Sequence, residues 1–130
     1  MEKLISIFRK VVVLDIILSI ILMIAYIIFD SNIDSDIVYS TTYLIIYLSL
    51  ALGVLLFQIV LYYLLLKLKP AGKKLFIPFL IVVSVFTLLL PEDQTIYPNF
   101  VLLLEWFQGM TWGAIFTLMY FTDLKNKFDG

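Results

Sequence analysis

Four long apolar segments dominate this sequence, at residues 11–29, 40–66, 75–91 and 98–121. A helix needs about 20 mostly apolar residues to cross a hydrocarbon core of about 30 Å. The first, second and fourth segments reach that length, and the third is shorter, so we expect it to stand nearly upright. Because backbone amides in lipid must be paired, and no long stretch alternates polar with apolar residues, we predict helices rather than a β-barrel.

The composition agrees with a membrane protein of one domain. The chain has 130 residues, of which 63% are hydrophobic and 15% are charged. A soluble domain of this size keeps too much of its chain at the surface to bury so many apolar side chains. We therefore predict a single all-α integral-membrane domain over residues 1–130. Since the connections are short, its four helices should pack as an antiparallel up-down-up-down bundle.

The basic residues predict how such a bundle lies in the membrane. All nine fall within three stretches, 3–10, 67–74 and 125–127, whereas the connections at 30–37 and 91–96 carry carboxylates and no cation. The positive-inside rule then predicts that both termini are cytoplasmic, in an inner membrane. The bias also argues against insertion in two orientations. The first segment is too long for a cleaved signal peptide, and no small-residue cleavage site follows it.

The connection between the second and third segments is the most basic part of the chain. It contains Lys67, Lys69, Lys73 and Lys74. Lysines close to a cytoplasmic membrane surface attract anionic lipid headgroups, by about 1 kcal/mol each. We expect this loop to contact such headgroups or to dock a cytoplasmic protein.

Two carboxylates lie inside the apolar segments, where each costs about 2.5–3.5 kcal/mol on insertion scales. One is Asp15, five residues after Lys10. Long lysine side chains can reach into this depth. We expect either an ion pair with Lys67 or Lys69 that fixes the bundle packing, or a proton or cation relay that Ser19 extends.

Glu105 is the second intramembrane carboxylate, and no cation of the chain lies near its depth. We expect it to be neutral or to face water, with a hydrogen bond to Gln108 or to a hydroxyl of a neighbouring helix. By helix rise, the two carboxylates should lie about 15–20 Å apart along the membrane normal. That separation is too large for an acid–base pair. Gln58, near the middle of the second segment, should make one interhelical hydrogen bond.

Small residues mark a face of the fourth segment. Glu105 is followed at intervals of four by Gly109, Gly113 and Thr117. Small residues allow helices to approach closely in lipid, and a GxxxG pair is a weak motif for association. The face could seat the helix against its own bundle, or it could form an oligomer interface with Glu105 repeated around the axis. Ser49 and Gly53 form a second small pair.

The residue inventory limits the function. The chain has no Cys and no His, so we expect no cofactor and no metal site, and its net charge of −1 gives no reason to expect nucleic acid. Because its two buried carboxylates are far apart, we expect no enzyme. We predict a non-enzymatic membrane subunit, sensor or immunity-type protein that self-associates and binds partners, as in small defence or toxin-immunity systems. The alternative is an oligomeric proton or cation channel, or a small transporter, that uses Glu105 and Asp15.

Overall fold

The computed structural model describes residues 2–30, 41–89 and 98–128, without the side chains at 29, 30, 43, 44 and 89. These residues form helices and turns and no strand. Apart from Asp30, the acidic connections at 30–37 and 91–96 lie outside the described residues. The helices are α1 (Glu2–Asp30), α2 (Thr41–Leu66), α3 (Pro70–Leu89), α4 (Asn99–Phe121) and the short α5 (Lys125–Phe128).

Four of these helices are long and apolar enough to cross a membrane, which confirms the prediction of a helical multi-pass protein at that level. The candidate spans are Glu2–Ile28, Ile45–Leu66, Pro70–Leu88 and Asn99–Phe121. The helix of the third span begins at Pro70, ahead of its apolar run, because proline suits a first helical turn. This gives 19 residues, or about 28 Å of helix, which removes the expected shortfall.

The helices pack in two close pairs. The more extensive pairings are α1 with α4 and α2 with α3, and a smaller α1–α2 contact joins the pairs. Rings link α3 to α4, where Phe79 meets Trp112 edge-on with centroids 6.1 Å apart. Large apolar side chains remain exposed on α1 and α2, among them Leu48 at 63% and Ile27 at 63%. Such exposure suits a helix surface in contact with lipid.

A tight turn joins α2 to α3. Leu68 has a left-handed backbone with φ 56°, and its N–H donates to the Leu65 carbonyl at 3.1 Å. The N–H of Lys69 donates to the Leu64 carbonyl at 2.9 Å. These two bonds form a Schellman motif, which satisfies the last carbonyls of α2. Gly72 then lies against the last turn of α2, where no β carbon would fit without displacing backbone.

The segment after α4 folds back onto the bundle. Leu124 and Phe128 are fully buried, and the Phe128 ring packs edge-on against Phe8 at 5.4 Å. The Thr122 hydroxyl accepts the Leu124 N–H at 3.2 Å, which steadies the bend before α5. Leu124 and Phe128 therefore dock this segment onto the core, while Lys125, Asn126 and Lys127 between them stay exposed.

The basic stretches of the sequence meet at one end of the bundle, which we call the basic end. There the Arg9 Nε donates to the Leu66 carbonyl at 3.2 Å. The Tyr120 hydroxyl donates to the Lys73 carbonyl at 2.7 Å, and the Lys73 ammonium lies 5.3 Å from the Tyr120 ring centre. These contacts connect α1 with α2 through Arg9, and α3 with α4 through Lys73, both of which belong to the basic stretches.

Candidate functional site: a polar network around Asp15

Asp15 lies at the centre of the bundle, with none of its surface exposed. One carboxylate oxygen accepts hydrogen bonds from the Tyr62 hydroxyl of α2 and from the Trp112 indole of α4, the latter at 3.0 Å. The other oxygen accepts the Thr111 hydroxyl of α4. A single α1 side chain therefore joins three helices. Interhelical hydrogen bonds in membranes average about 0.6 kcal/mol, so three of them stabilise this packing by about 2 kcal/mol.

The partners of Asp15 differ from those that the sequence suggested. We expected a cation, Lys67 or Lys69, whereas the hydrogen-bond partners of Asp15 among the described residues are neutral donors. Both lysines are exposed in the turn at the basic end. Hydroxyl and indole donors lie at the depth of Asp15 on neighbouring helices, so the carboxylate is satisfied without drawing a lysine into the bundle.

Ser19, one turn beyond Asp15, is the second centre of the network. Its hydroxyl lies 2.9 Å from the Tyr62 hydroxyl and accepts the side-chain amides of Gln58 at 3.1 Å and Gln108 at 2.6 Å. The Gln58 amide also approaches the Tyr62 oxygen at 2.8 Å. The expected interhelical hydrogen bond of Gln58 is therefore present, and it extends a network that spans α1, α2 and α4.

The donor and the acceptor of each hydrogen bond in this network can be assigned. Tyr62 has one hydroxyl hydrogen, and it is directed at Asp15. Its oxygen is then an acceptor, so the hydrogen between Ser19 and Tyr62 belongs to Ser19. The donor order runs from Gln108 to Ser19, from Ser19 to Tyr62, and from Tyr62 to Asp15.

Glu105 lies further along α4 and is exposed. It accepts the Tyr26 hydroxyl of α1, one of the partners expected for it. Gln108, the other expected partner, is directed at Ser19 instead. Because Thr111 reaches Asp15, the rise from Glu105 to Thr111 gives about 9 Å along α4 for the separation of the two carboxylates. Because Tyr26 reaches Glu105, the eleven residues from Asp15 to Tyr26 give about 16 Å along α1, so the expected 15–20 Å stays a prediction.

A packed apolar core separates Asp15 from the basic end. It is built of large side chains that are at most 3% exposed, from all five helices and the turn before α5: Phe8, Val12, Leu61, Leu65, Phe76, Phe79, Ile115, Met119, Leu124 and Phe128. At the opposite end, α1 and α4 bury a smaller cluster of Leu22, Ala25 and Val101. Among the described residues, the polar network thus has the larger buried apolar cluster on one side and the smaller one on the other.

The small-residue face of α4 is open. A β carbon built at Gly109 or Gly113 has no atom of the described residues within 4 Å, other than nearby atoms of its own helix. Thr117 is exposed, and its hydroxyl donates to the Gly113 carbonyl. The face therefore does not seat α4 against its own bundle among these residues. On α2, Gly53 is equally open, and Ser49 is exposed.

Sequence reasoning found Asp15, Ser19, Gln58 and Gln108 but missed Tyr62, Thr111 and Trp112. The spacing of Gln58 and Tyr62 by four was a usable signal, because it places both on one face of α2. No comparable signal marked Thr111 or Trp112. Within the described ranges, no group of three or more Asp, Glu, His or Cys could hold a metal ion.

Comparison with known proteins gives no relative from which function could be transferred. No protein family, no curated protein and no solved structure matches this chain significantly.

Proposed function

We propose that this chain is a non-enzymatic inner-membrane subunit that works by associating with a second copy of itself and with partner proteins. The observation that carries the proposal is the open face of α4, where Gly109 and Gly113 leave room for a close helix. Close backbone approach is what stabilises helix association in lipid. A sensor or immunity-type role, as in defence or toxin-immunity systems, is the kind of function that such a subunit serves.

The proposed arrangement is an antiparallel four-helix bundle with both termini in the cytoplasm. Its support is the order of the contacts between helices. Asp15 meets Thr111 and Ser19 meets Gln108, so positions on α4 fall as those on α1 rise. The ring contacts of α2 with α3 follow the same order, with Tyr47 near Phe86 and Phe57 near Phe79. The nine-to-zero charge bias supports the orientation.

The proposed docking surface for a cytoplasmic partner, or for anionic lipid, is the basic end. Lys67, Lys69 and Lys74 are exposed there. The residues after α4 contribute charge through Lys125 and Lys127 rather than as a flexible arm, because Phe128 is buried.

The test is the mass of the complex extracted in native nanodiscs, with co-purifying proteins identified. We expect more than one 15.1 kDa chain per disc and a shift to one chain in the double variant Gly109→Leu/Gly113→Leu. Gly53→Leu is the matched control, since it adds the same side chain at another open position. A monomeric wild type without partners would refute the proposal. If Gly53→Leu dissociated the complex and the double variant of α4 did not, the interface would lie on α2.

A second candidate function, a proton or cation channel or small transporter, is favoured by the network itself. It connects the buried Asp15 through Ser19 to Gln108, three residues from Glu105. Because the apolar core closes the basic end, a gated or alternating mechanism fits better than an open pore. We expect proton flux into liposomes that Glu105→Gln reduces. Ser84→Ala is the control, since that hydroxyl bonds only its own helix among the described contacts. Unchanged flux in Glu105→Gln would remove this candidate.

A further inference from the structure

We propose that Asp15 is a reversible proton-binding site, reached through the hydroxyls of Ser19 and Tyr62. The site deepens the second candidate function, because it names the bound species and its route, and it does not depend on association through α4. A carboxylate inside a membrane bundle is a functional-site hypothesis by default. What distinguishes Asp15 is complete burial combined with an unbroken row of hydroxyls leading to it.

The groups around Asp15 leave one route for a proton. From α2 it faces Tyr62, which is the titratable group in contact with it. From α4 it faces Thr111 and Trp112. The Trp112 indole can donate but cannot accept, and the Thr111 hydroxyl is a donor in both of its described hydrogen bonds, so no described group passes a proton to it. Behind Trp112, α3 contributes the Phe79 ring.

More distant charged groups on the same helices do not interrupt this route. On α1, Arg9 lies six residues toward the basic end, about 9 Å away, and donates to the Leu66 carbonyl. On α4, Glu105 lies six residues from Thr111, on the other side of Asp15, and accepts the Tyr26 hydroxyl. The apolar core closes the basic side of Asp15. Ser19 is half-buried and lies on the side where the described residues bury the smaller apolar cluster, so the proton enters there.

The transfer is a relay in which each oxygen takes one proton and gives one. The Gln58 amide gives up Ser19 and keeps its bond to the Tyr62 oxygen, which frees one acceptor position on the Ser19 oxygen for a proton from water. The original Ser19 proton moves to the Tyr62 oxygen, and the Tyr62 proton moves to Asp15. The carboxylate becomes a neutral carboxylic acid, and both hydroxyls are again neutral. The hydrogen bonds then run in reverse, with Asp15 donating to Tyr62 and Tyr62 donating to Ser19. Release follows the same steps backwards.

Proton uptake also changes a contact to α4. The Thr111 hydroxyl has one hydrogen and two acceptors within reach, the Asp15 carboxylate and the Gln108 carbonyl at 2.8 Å. A charged Asp15 draws that hydrogen to itself. A neutral Asp15 attracts it less, so the hydrogen moves to the α4 backbone. The α1–α4 contact is therefore weaker in the protonated state.

Infrared difference spectroscopy of the full chain in nanodiscs tests the site. The experiment uses a Glu105→Gln background, so that Asp15 is the carboxyl inside the bundle. We expect a carboxylic-acid carbonyl band on acidification that disappears on return to alkaline pH and is lost in Asp15→Asn. A band that does not depend on Asp15, or no reversible band, would overturn the proposal.

The route is tested by the rate of band formation after a pH jump. Tyr62→Phe keeps the ring and removes the relaying hydroxyl, so we expect band formation several-fold slower with the final amplitude retained. Tyr63→Phe, on the exposed face of α2, should match the parent protein. Ser19→Ala interrupts the same relay and replaces Tyr62→Phe if that variant does not fold. An unchanged rate in a folded Tyr62→Phe or Ser19→Ala protein would refute the route. Liposome flux tests the channel or transporter, and nanodisc mass tests association through α4. Because these are separate measurements, a negative result in either can be told apart from a negative result for the proton site.

Discussion

Replacing Gly72 with Ala probes the turn between α2 and α3 at a point where a β carbon would contact the α2 backbone too closely. A β carbon at Gly72 would lie 3.1 Å from the carbonyl carbon and the β carbon of Leu64, and 3.2 Å from the Leu65 nitrogen. Carbon atoms in contact prefer about 3.5–4.0 Å, so the helices would have to separate by about half an ångström. The Schellman hydrogen bonds to Leu68 and Lys69 hold this turn of α2 in place.

The expected magnitude follows from two opposing effects. Overpacking costs about 1–3 kcal/mol, whereas Gly→Ala within a helix gains about 0.5–1 kcal/mol. Gly72→Ala should therefore lower the free energy of unfolding by up to about 2.5 kcal/mol, with about 1 kcal/mol at the middle of the two ranges. Gly53→Ala is the matched control, because a β carbon there meets nothing within 4 Å. The control should gain the helix contribution alone, so the two variants should differ by about 1–3 kcal/mol.

The assay is reversible unfolding in mixed micelles with increasing SDS, followed by tryptophan fluorescence. Trp112 is a suitable reporter, because its ring packs against Phe79 and its indole donates to Asp15. Gly72→Ala as stable as Gly53→Ala would refute the close approach of α3 to α2. If Gly72→Ala and Gly53→Ala lost the same amount of stability, the loss would come from replacing glycine by alanine in a helix and not from the contact between α2 and α3.

Two further predictions concern the buried end of the chain and the network. Phe128→Ala should cost about 3 kcal/mol in the same unfolding assay, because it empties a fully buried ring site, while Phe121→Ala, 74% exposed, should cost less than about 1 kcal/mol. Equal costs would mean that the chain after α4 does not dock. Asp15→Leu should cost about 2 kcal/mol, since it leaves three donors unpaired, and Asp15→Asn should cost less. If the Asp15→Leu protein were as stable to unfolding as the wild type, the network would contribute no stability.

The helices were predictable from the sequence because lipid leaves the chain so few options. Apolar length alone locates each span, and the backbone must pair within it. Apolar length gives no prediction for the residues after α4, where Leu124 and Phe128 are buried. Their apolar character was a signal, but a short segment rich in lysine has no periodicity that separates a docked helix from a free end.

The partners of Asp15 could not be predicted, because they depend on how helices far apart in sequence align. A shift of one residue in α4 would replace Thr111 by a neighbour and turn the donors away. Tyr62 also has the position of an interfacial aromatic, which is where a membrane tyrosine is usually expected. The partner of Gln108 also depends on how the helices align. Glu105, on the same helix, was the expected partner, but Gln108 donates to the Ser19 hydroxyl of α1.

The position of the network relative to the core decides what it can do. A buried polar group that only fixed helix packing would serve equally well in the densest part of the bundle, around Phe8 and Phe76. Asp15 instead lies at the edge of that core, where the hydroxyls of Ser19 and Tyr62 continue toward the end at which the described residues bury the smaller apolar cluster. An arrangement closed on one side and continued by hydroxyls on the other exposes the carboxylate to protons from one face alone. Net proton movement across the membrane would therefore require the apolar core to open, whereas proton sensing would require only the relay.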